Sequence, residues 1–288
     1  MSSRNPVLAA LAAAILAAPA AAQSRRTLDP SDPQAQLLGY FATAMSFTPV
    51  GLPHPGFSIG GALGLIPDLS AEERRVGFGG TKGEAANRCP VYPRLTAGWM
   101  ARGGLAVEAG YTPGAEVCGV KANVVSAAVS YRFALAPTWD GVARVSLLSG
   151  SVEGDFTCSA ADTADAADLT CYGGAPSADR IAPSAYGFDI AFARRNAAGR
   201  FEPYLLFGFA RARVDFDVNY TRTTPNAGNL PALDDHERMQ ATLTRVHAGL
   251  GAGWRLARWM SLGAEVYYEP GAMLTARGSA RFTYGGAR

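Results

Sequence analysis

The chain has 288 residues, 26 Lys and Arg against 24 Asp and Glu, and a net charge of +2, a balance without the basic stripe that a nucleic-acid binder shows. Basic residues stand together only as the pairs Arg25-Arg26, Arg74-Arg75 and Arg194-Arg195. With 33 glycines and 10% aromatic residues, the composition argues against a helical bundle, because glycine is a poor helix former.

Residues 1–22, MSSRNPVLAALAAAILAAPAAA, read as a secretory signal peptide. Arg4 supplies the positive start, an Ala-rich apolar stretch follows, and Ala20-Ala21-Ala22 fits a small-residue cleavage site. Beyond it no apolar run reaches the about 18 residues of a membrane-spanning helix. Residues 23–56 form a lead. Its first part, QSRRTLDPSDPQAQ, is polar; in the second, Leu37, Leu38, Phe41 and Met45 fall at helical spacing and Pro49 would end such a helix. A short helix that plugs or caps something and a strand are both open here.

From residue 57 onward apolar residues recur at every second position, the period of a strand with two unlike faces. Phe57, Ile59, Leu63 and Leu65 share one face; so do Leu95, Ala97 and Trp99, and Leu105, Val107 and Tyr111, with Glu108 opposite. Val125, Ala127, Val129, Tyr131 and Phe133 oppose Arg132; Trp139, Ala143, Val145 and Leu147 oppose Arg144; Tyr186, Phe188, Ile190 and Phe192 oppose Asp189. Between Phe201 and Tyr220 the even positions carry Tyr204, Leu206, Val214 and Phe216, and the odd ones carry Arg211, Arg213, Asp215 and Asp217. The earlier odd positions are apolar too (Phe201, Leu205, Phe207, Phe209), so either both faces are apolar there or a bulge near Ala210 switches the phase. Val246, Ala248, Leu250 and Trp254 oppose Arg245 and His247; Leu262, Val266 and Tyr268 oppose Glu265; Leu274, Phe282 and Tyr284 oppose Arg277 and Arg281.

These runs make about ten strands, with eight to twelve allowed, each about as long as a tilted bilayer crossing requires. Connections alternate: ARGG, LAPT, RRNAAGR and RLARW are short, whereas 67–92, 112–121, 149–182 and 221–240 are long. Cys89, Cys118, Cys158 and Cys171 all fall in long connections; in an exported chain they suggest disulfides, and their positions favour Cys158–Cys171 within the third loop and Cys89–Cys118 between the first two. Their wide spacing does not fit zinc.

Signal peptide, dyad-repeat strands, aromatics near strand ends and a last strand ending ARFTY resemble bacterial outer-membrane β-barrel proteins over about residues 57–284. One departure is the GGAR that follows Tyr284 where members of this class often end on an aromatic. The apolar segment before the first strand is also similar to that of the fatty-acid porins, whose Asn-Pro-Ala motif is missing. The resemblance implies an all-β, antiparallel transmembrane β-barrel over 57–288, with short periplasmic turns and long extracellular loops. It further implies a location in the outer membrane, with outer-membrane lipid and the barrel-assembly machinery as partners. An even strand count would place both termini on the periplasmic side. The rival fold, a soluble sandwich or lipocalin-like barrel, would turn the apolar faces inward.

In a membrane barrel the polar face becomes the lumen: Glu108, Arg132, Arg144, Asp189, Arg211, Arg213, Asp215, Asp217, Arg245, His247, Glu265, Arg277 and Arg281. Arginine predominates, which in a pore favours anions, unless the charges pair across a filled lumen. The expected role is a narrow pore for small solutes or ions, or a membrane-embedded structural protein. Two alternatives stand beside it. One is a transporter of hydrophobic molecules plugged by the N-terminal segment. The other is a lipid-active barrel enzyme with His247 as base, for which Ser126, Ser130, Ser261 and Ser279 are neighbours that no spacing singles out. No cofactor or metal pattern is present: DTADAAD lacks the glycine and closing glutamate of a calcium loop, and in VGFGGTKGE the lysine is followed by glycine.

Overall fold

The computed structural model of the chain describes residues 25–46, 48–80, 82–195, 200–222 and 233–285. The expected signal peptide lies outside them.

Ten antiparallel strands close into a barrel: β1 (Gly56–Leu65), β2 (Val91–Met100), β3 (Leu105–Thr112), β4 (Val120–Ala136), β5 (Trp139–Gly154), β6 (Asp179–Arg194), β7 (Phe201–Asp217), β8 (Arg238–Ala257), β9 (Met260–Glu269) and β10 (Met273–Tyr284). Each pairs with the next, and β10 returns to β1 from Arg277↔Gly64 to Tyr284↔Phe57. Closure leaves no edge strand and gives the backbone polar groups partners that lipid cannot supply. Each apolar face read from the sequence in β1–β6 and β8–β10 points outward: Ile59, Leu95, Val125, Leu147, Tyr186, Val246, Leu250 and Leu274 are all exposed. Trp99, Trp139, Trp254, Trp259 and Tyr284 gather toward the short-turn end, and Tyr111, Tyr186 and Tyr268 toward the other, as an aromatic girdle does.

The wall is uneven in height. β4–β8 run 16 to 20 residues, whereas β1–β3 run 8 to 10. A crossing takes about 9–11 residues, so the tall strands continue past the hydrocarbon on the long-loop side. There the polarity of the wall inverts. On β7, Phe201, Leu205, Phe207 and Phe209 face out, and the same outward row continues as Arg211 and Arg213, both exposed, then Asp215 and Asp217. The even residues Tyr204, Leu206, Val214 and Phe216 are buried inside. The β7–β8 register runs unbroken from Phe201↔Trp254 to Asp217↔Arg238, so no bulge interrupts it near Ala210. Arg211, Arg213, Asp215 and Asp217 therefore lie on the outer face and do not line the lumen, contrary to the expectation. Above the hydrocarbon the outside is polar, headgroup and then water, so charges belong there.

What makes the inside dry at that level is a helix, α1 (Pro33–Met45), and the helical reading of this segment is the one that holds. Asp32 caps it by accepting from the Gln34 N–H at 2.9 Å, and Pro33 at its first position has no N–H to leave unsatisfied. Ala35, Leu38, Ala42 and Met45 pack against Val124, Leu148, Ile181, Val214, Phe216, Met239 and Leu243 of the tall wall. Gly39 lets the helix approach β8, because a Cβ there would sit 2.6 Å from Leu243 Cδ1. Before the helix, Arg25–Thr27 pairs in parallel with Arg238–Gln240 on the long-loop rim of β8. After it, residues 48–55 descend through the lumen to β1 at the short-turn end. The barrel's own first and last strand ends do lie at the short turns. The described chain nevertheless starts at the opposite rim, a correction to the expectation on the N-terminal side, while the C-terminal strand ends where expected.

The described parts of the long loops pack together. Cys158 and Cys171 form a disulfide with Cα atoms 5.5 Å apart, buried beside Tyr220. Asp179 accepts from Thr157 N–H at 2.6 Å, Ser177 hydroxyl at 2.7 Å and Asn219 N–H at 2.9 Å, tying the third and fourth loops together. Cys89 and Cys118, the other expected pair, are brought within hydrogen-bonding reach of each other as thiols, without a bond between their sulfurs. Cys118 and Gly119, both at positive φ, form the two-residue turn of a small hairpin between Val117 and Val120, and this turn sets the place of Cys118. In the first loop Lys82 donates to Thr157 O and lies 3.5 Å from Glu84. Burial pushes the Glu84 carboxyl up from an ordinary 4.5 to about 7, Lys82 only partly opposing it. A raised acid stabilises the packed loop most below its unfolded value and loses that contribution as pH climbs to the folded one. The protection of first-loop amides, that is exchange corrected for its intrinsic rise with pH, should therefore fall between pH 4.5 and about 7 and then level off. Glu84→Gln should flatten the profile; an unchanged pH profile in the variant would count against this assignment.

Candidate functional site

The interior has two storeys, and the lower one is polar. Arg144 is 3% exposed and Asp189 1%; Arg144 Nη2 donates to Asp189 Oδ1 at 2.7 Å and its Nε reaches both carboxylate oxygens at 3.0 Å. Arg277 pairs with Glu265, whose other oxygen accepts from Tyr204 at 2.8 Å. Arg281 pairs with Glu108 at 2.9 Å; higher up, beside α1, Arg245 pairs with Glu269 at 3.4 Å, and the two also bond Gln36 and Thr43 of the helix. Near the short-turn end Arg132 meets Asp140 at 2.6 Å and Glu202 at 3.0 Å. Of the residues expected in the lumen, Glu108, Arg132, Arg144, Asp189, Arg245, Glu265, Arg277 and Arg281 come together here as ion pairs, each arginine matched by an acid.

The arginines do a second job. The described residues 46 and 48–55 have no sheet partner, and their carbonyls, with that of Met45 at the helix end, are met by guanidinium donors from the wall. Arg94 donates to Met45 O at 3.0 Å, Arg144 to Pro49 O at 3.0 Å, Arg281 to Val50 O at 2.9 Å and Arg132 to Pro53 O at 3.2 Å. Gly51, at φ 84°, turns its N–H to the Tyr204 hydroxyl at 3.0 Å. His54 closes the run between Glu202 at 3.5 Å and Arg255 at 3.0 Å. The lumen is thus occupied by a strap of chain clasped on several sides.

His247 is buried on the inner face of β8, its ring 5.2 Å from that of Tyr267, with neither nitrogen hydrogen-bonded among the described residues. Among the described residues no serine hydrogen-bonds it. Sequence reading missed Arg94, Asp140, Glu202, Tyr204 and Glu269. Arg94 and Asp140 sit in phase with their strands' inner faces, a signal that was available; Glu202 and Glu269 are at strand ends, where alternation fades.

The upper storey is apolar. Between α1 and the wall lies a cavity of about 120 Å³. Tyr40, Phe41, Ala44 and Met45 form one side; Ile66, Val91, Tyr92 and Pro93, with Val120, Ala122, Val152 and Phe156, form the other. At its edge the barrel seam loosens. The β2–β3 ladder starts only at Leu95↔Tyr111, and above that pair Pro93 and Pro113 flank the seam with a single hydrogen bond, from Thr112 Oγ1 to Pro93 O at 3.1 Å.

Because Arg144 and Asp189 are desolvated together, removing one strands the other. Asp189→Ala should cost about 3–5 kcal/mol of folding stability, measured by denaturant unfolding in detergent. A cost below about 1 kcal/mol, typical of exposed pairs, would mean that water reaches this level of the lumen.

No family model matches the sequence, and no curated protein matches it. Solved structures do match it, each at low identity and low TM-score. Ail, the attachment invasion locus protein of Yersinia pestis in complex with the heparin analogue sucrose octasulfate, is 10% identical with a TM-score of 0.31, covering 78% of this chain and 92% of that one. The toluene transporter TbuX of Ralstonia pickettii is 10% identical with a TM-score of 0.31, covering 82% and 91%. Omp33 of Acinetobacter baumannii is 8% identical with a TM-score of 0.26, covering 80% and 98%. The closed ten-strand barrel with its apolar outer belt is itself the architecture of a bacterial outer-membrane β-barrel.

Proposed function

We propose that this outer-membrane barrel captures small hydrophobic molecules on its loop side and passes them inward, with α1 and the strap as its plug. The observation that carries the reading is the apolar cavity between α1 and β2–β5, set directly above a lumen filled by ion pairs and chain. An open pore needs a continuous wet path. The lower lumen instead supports a closed resting state, with each wall arginine engaged by a carboxylate or a carbonyl. The cavity suits a ligand without charge, since a charged group entering it would lose its water to side chains such as Phe41, Val120 and Val152. Its volume is comparable to dry protein cavities of about 150 Å³ that accept benzene. The loosened β2–β3 seam lies beside it, where strand separation breaks few hydrogen bonds.

The test is binding of benzene to the refolded chain in detergent, read by saturation-transfer NMR. Saturable binding is expected, with at least tenfold weaker binding for Ala122→Trp, which fills the cavity from β4. Equal binding by a folded Ala122→Trp protein would reject the cavity as the site.

A further inference from the structure

We propose that Arg211 and Arg213 on the outer face of β7 form a contact site for the phosphate groups of outer-leaflet lipid. The outward row of β7 reads Phe207, Phe209, Arg211, Arg213, so the two guanidinium groups rise directly from the last lipid-facing phenylalanine. At about 3.3 Å per residue on a strand tilted by about 40°, they stand about 5 and about 10 Å above Phe209 along the membrane normal, at headgroup height. Their cross-strand neighbours are Tyr186 and Ser184 on β6 and Thr244 and Thr242 on β8, an aromatic ring and three hydroxyls. No carboxylate appears on this face until Asp215, one step higher.

The pairing of these arginines contrasts with that of the lumen. Among the described residues Arg211 makes no ion pair, and Arg213 has only Asp215, with Nε at 3.5 Å and its side chain 48% exposed. Asp215 is shared with Arg25 at 3.5 Å, so a positive surplus remains. An exposed guanidinium fork at phosphate height, beside hydroxyl donors, matches phosphate geometry, where a compact ammonium would act only as a point charge. Height and outward direction favour phosphate borne by a lipid over phosphate in solution. The proposal does not depend on the cavity or on transport.

The experiment is native mass spectrometry of the refolded chain with diphosphorylated lipid A in detergent. Wild type should retain the lipid, and Arg211→Gln/Arg213→Gln should retain it about fivefold less per arginine lost, from the roughly 1 kcal/mol that one basic group contributes at an anionic surface. Lipid A stripped of both phosphates should be retained no better by wild type than by the variant. Both positions are exposed, so the variant should keep the folded gel mobility. Three results would overturn the proposal: equal retention of lipid A by variant and wild type, equal retention of the stripped lipid and lipid A by wild type, or displacement of lipid A by millimolar inorganic phosphate, which would mark a site for the free ion.

Discussion

Arginine donors on the inner wall satisfy the carbonyls of a segment that has no sheet partner, and the rest of the interior is arranged around that need. A stretch of backbone cannot lie inside a barrel unless something replaces its water. Arg94, Arg144, Arg281 and Arg132 do so at successive levels, from Met45 to Pro53. Those guanidinium groups are themselves buried charges, and Asp189, Glu108, Asp140 and Glu202 neutralise three of them. Strap and ion pairs are therefore one network: removing the acids would leave buried cations, and removing the strap would leave donors aimed at nothing.

The same logic explains why the barrel changes character with height. Where lipid lies outside, the outer face must be apolar, and the inside is free to hold the charges that grip the strap. Above the lipid the outside is wet, the helix α1 needs an apolar bed, and the faces exchange roles. Leu206 and Val214 are both wholly buried on one row of β7, while Phe209 and Arg213 are both exposed on the other. One unbroken strand serves both environments because the boundary between them is a plane in the surroundings and not a feature of the backbone. Cavity and helix sit together in the upper storey, so an apolar ligand would meet apolar walls before it met the charged strap.

Much of this was legible in the chain because a barrel strand writes its two faces at period two. All ten strands, the alternation of short and long connections and the Cys158–Cys171 bridge follow from that reading. The direction of Arg211, Arg213, Asp215 and Asp217 did not, because polarity alone cannot say whether a charged position faces a lumen or open water; only height above the bilayer decides it. The strap was hidden for a related reason. Residues 46–55 carry little periodicity, and what holds them is not their side chains but wall arginines distant in sequence. Cys89 and Cys118 do lie side by side, as their loop positions suggested, although no bond joins them.

The account rests on the lumen being closed by its own chain. Single-channel recording across a planar bilayer, on mature protein whose insertion is verified by heat-shifted gel mobility, tests it most directly. The account predicts no stable conductance at moderate voltage. Reproducible anion-preferring current steps from the inserted barrel would contradict it, since they require a water path past Arg144, Asp189 and the strap.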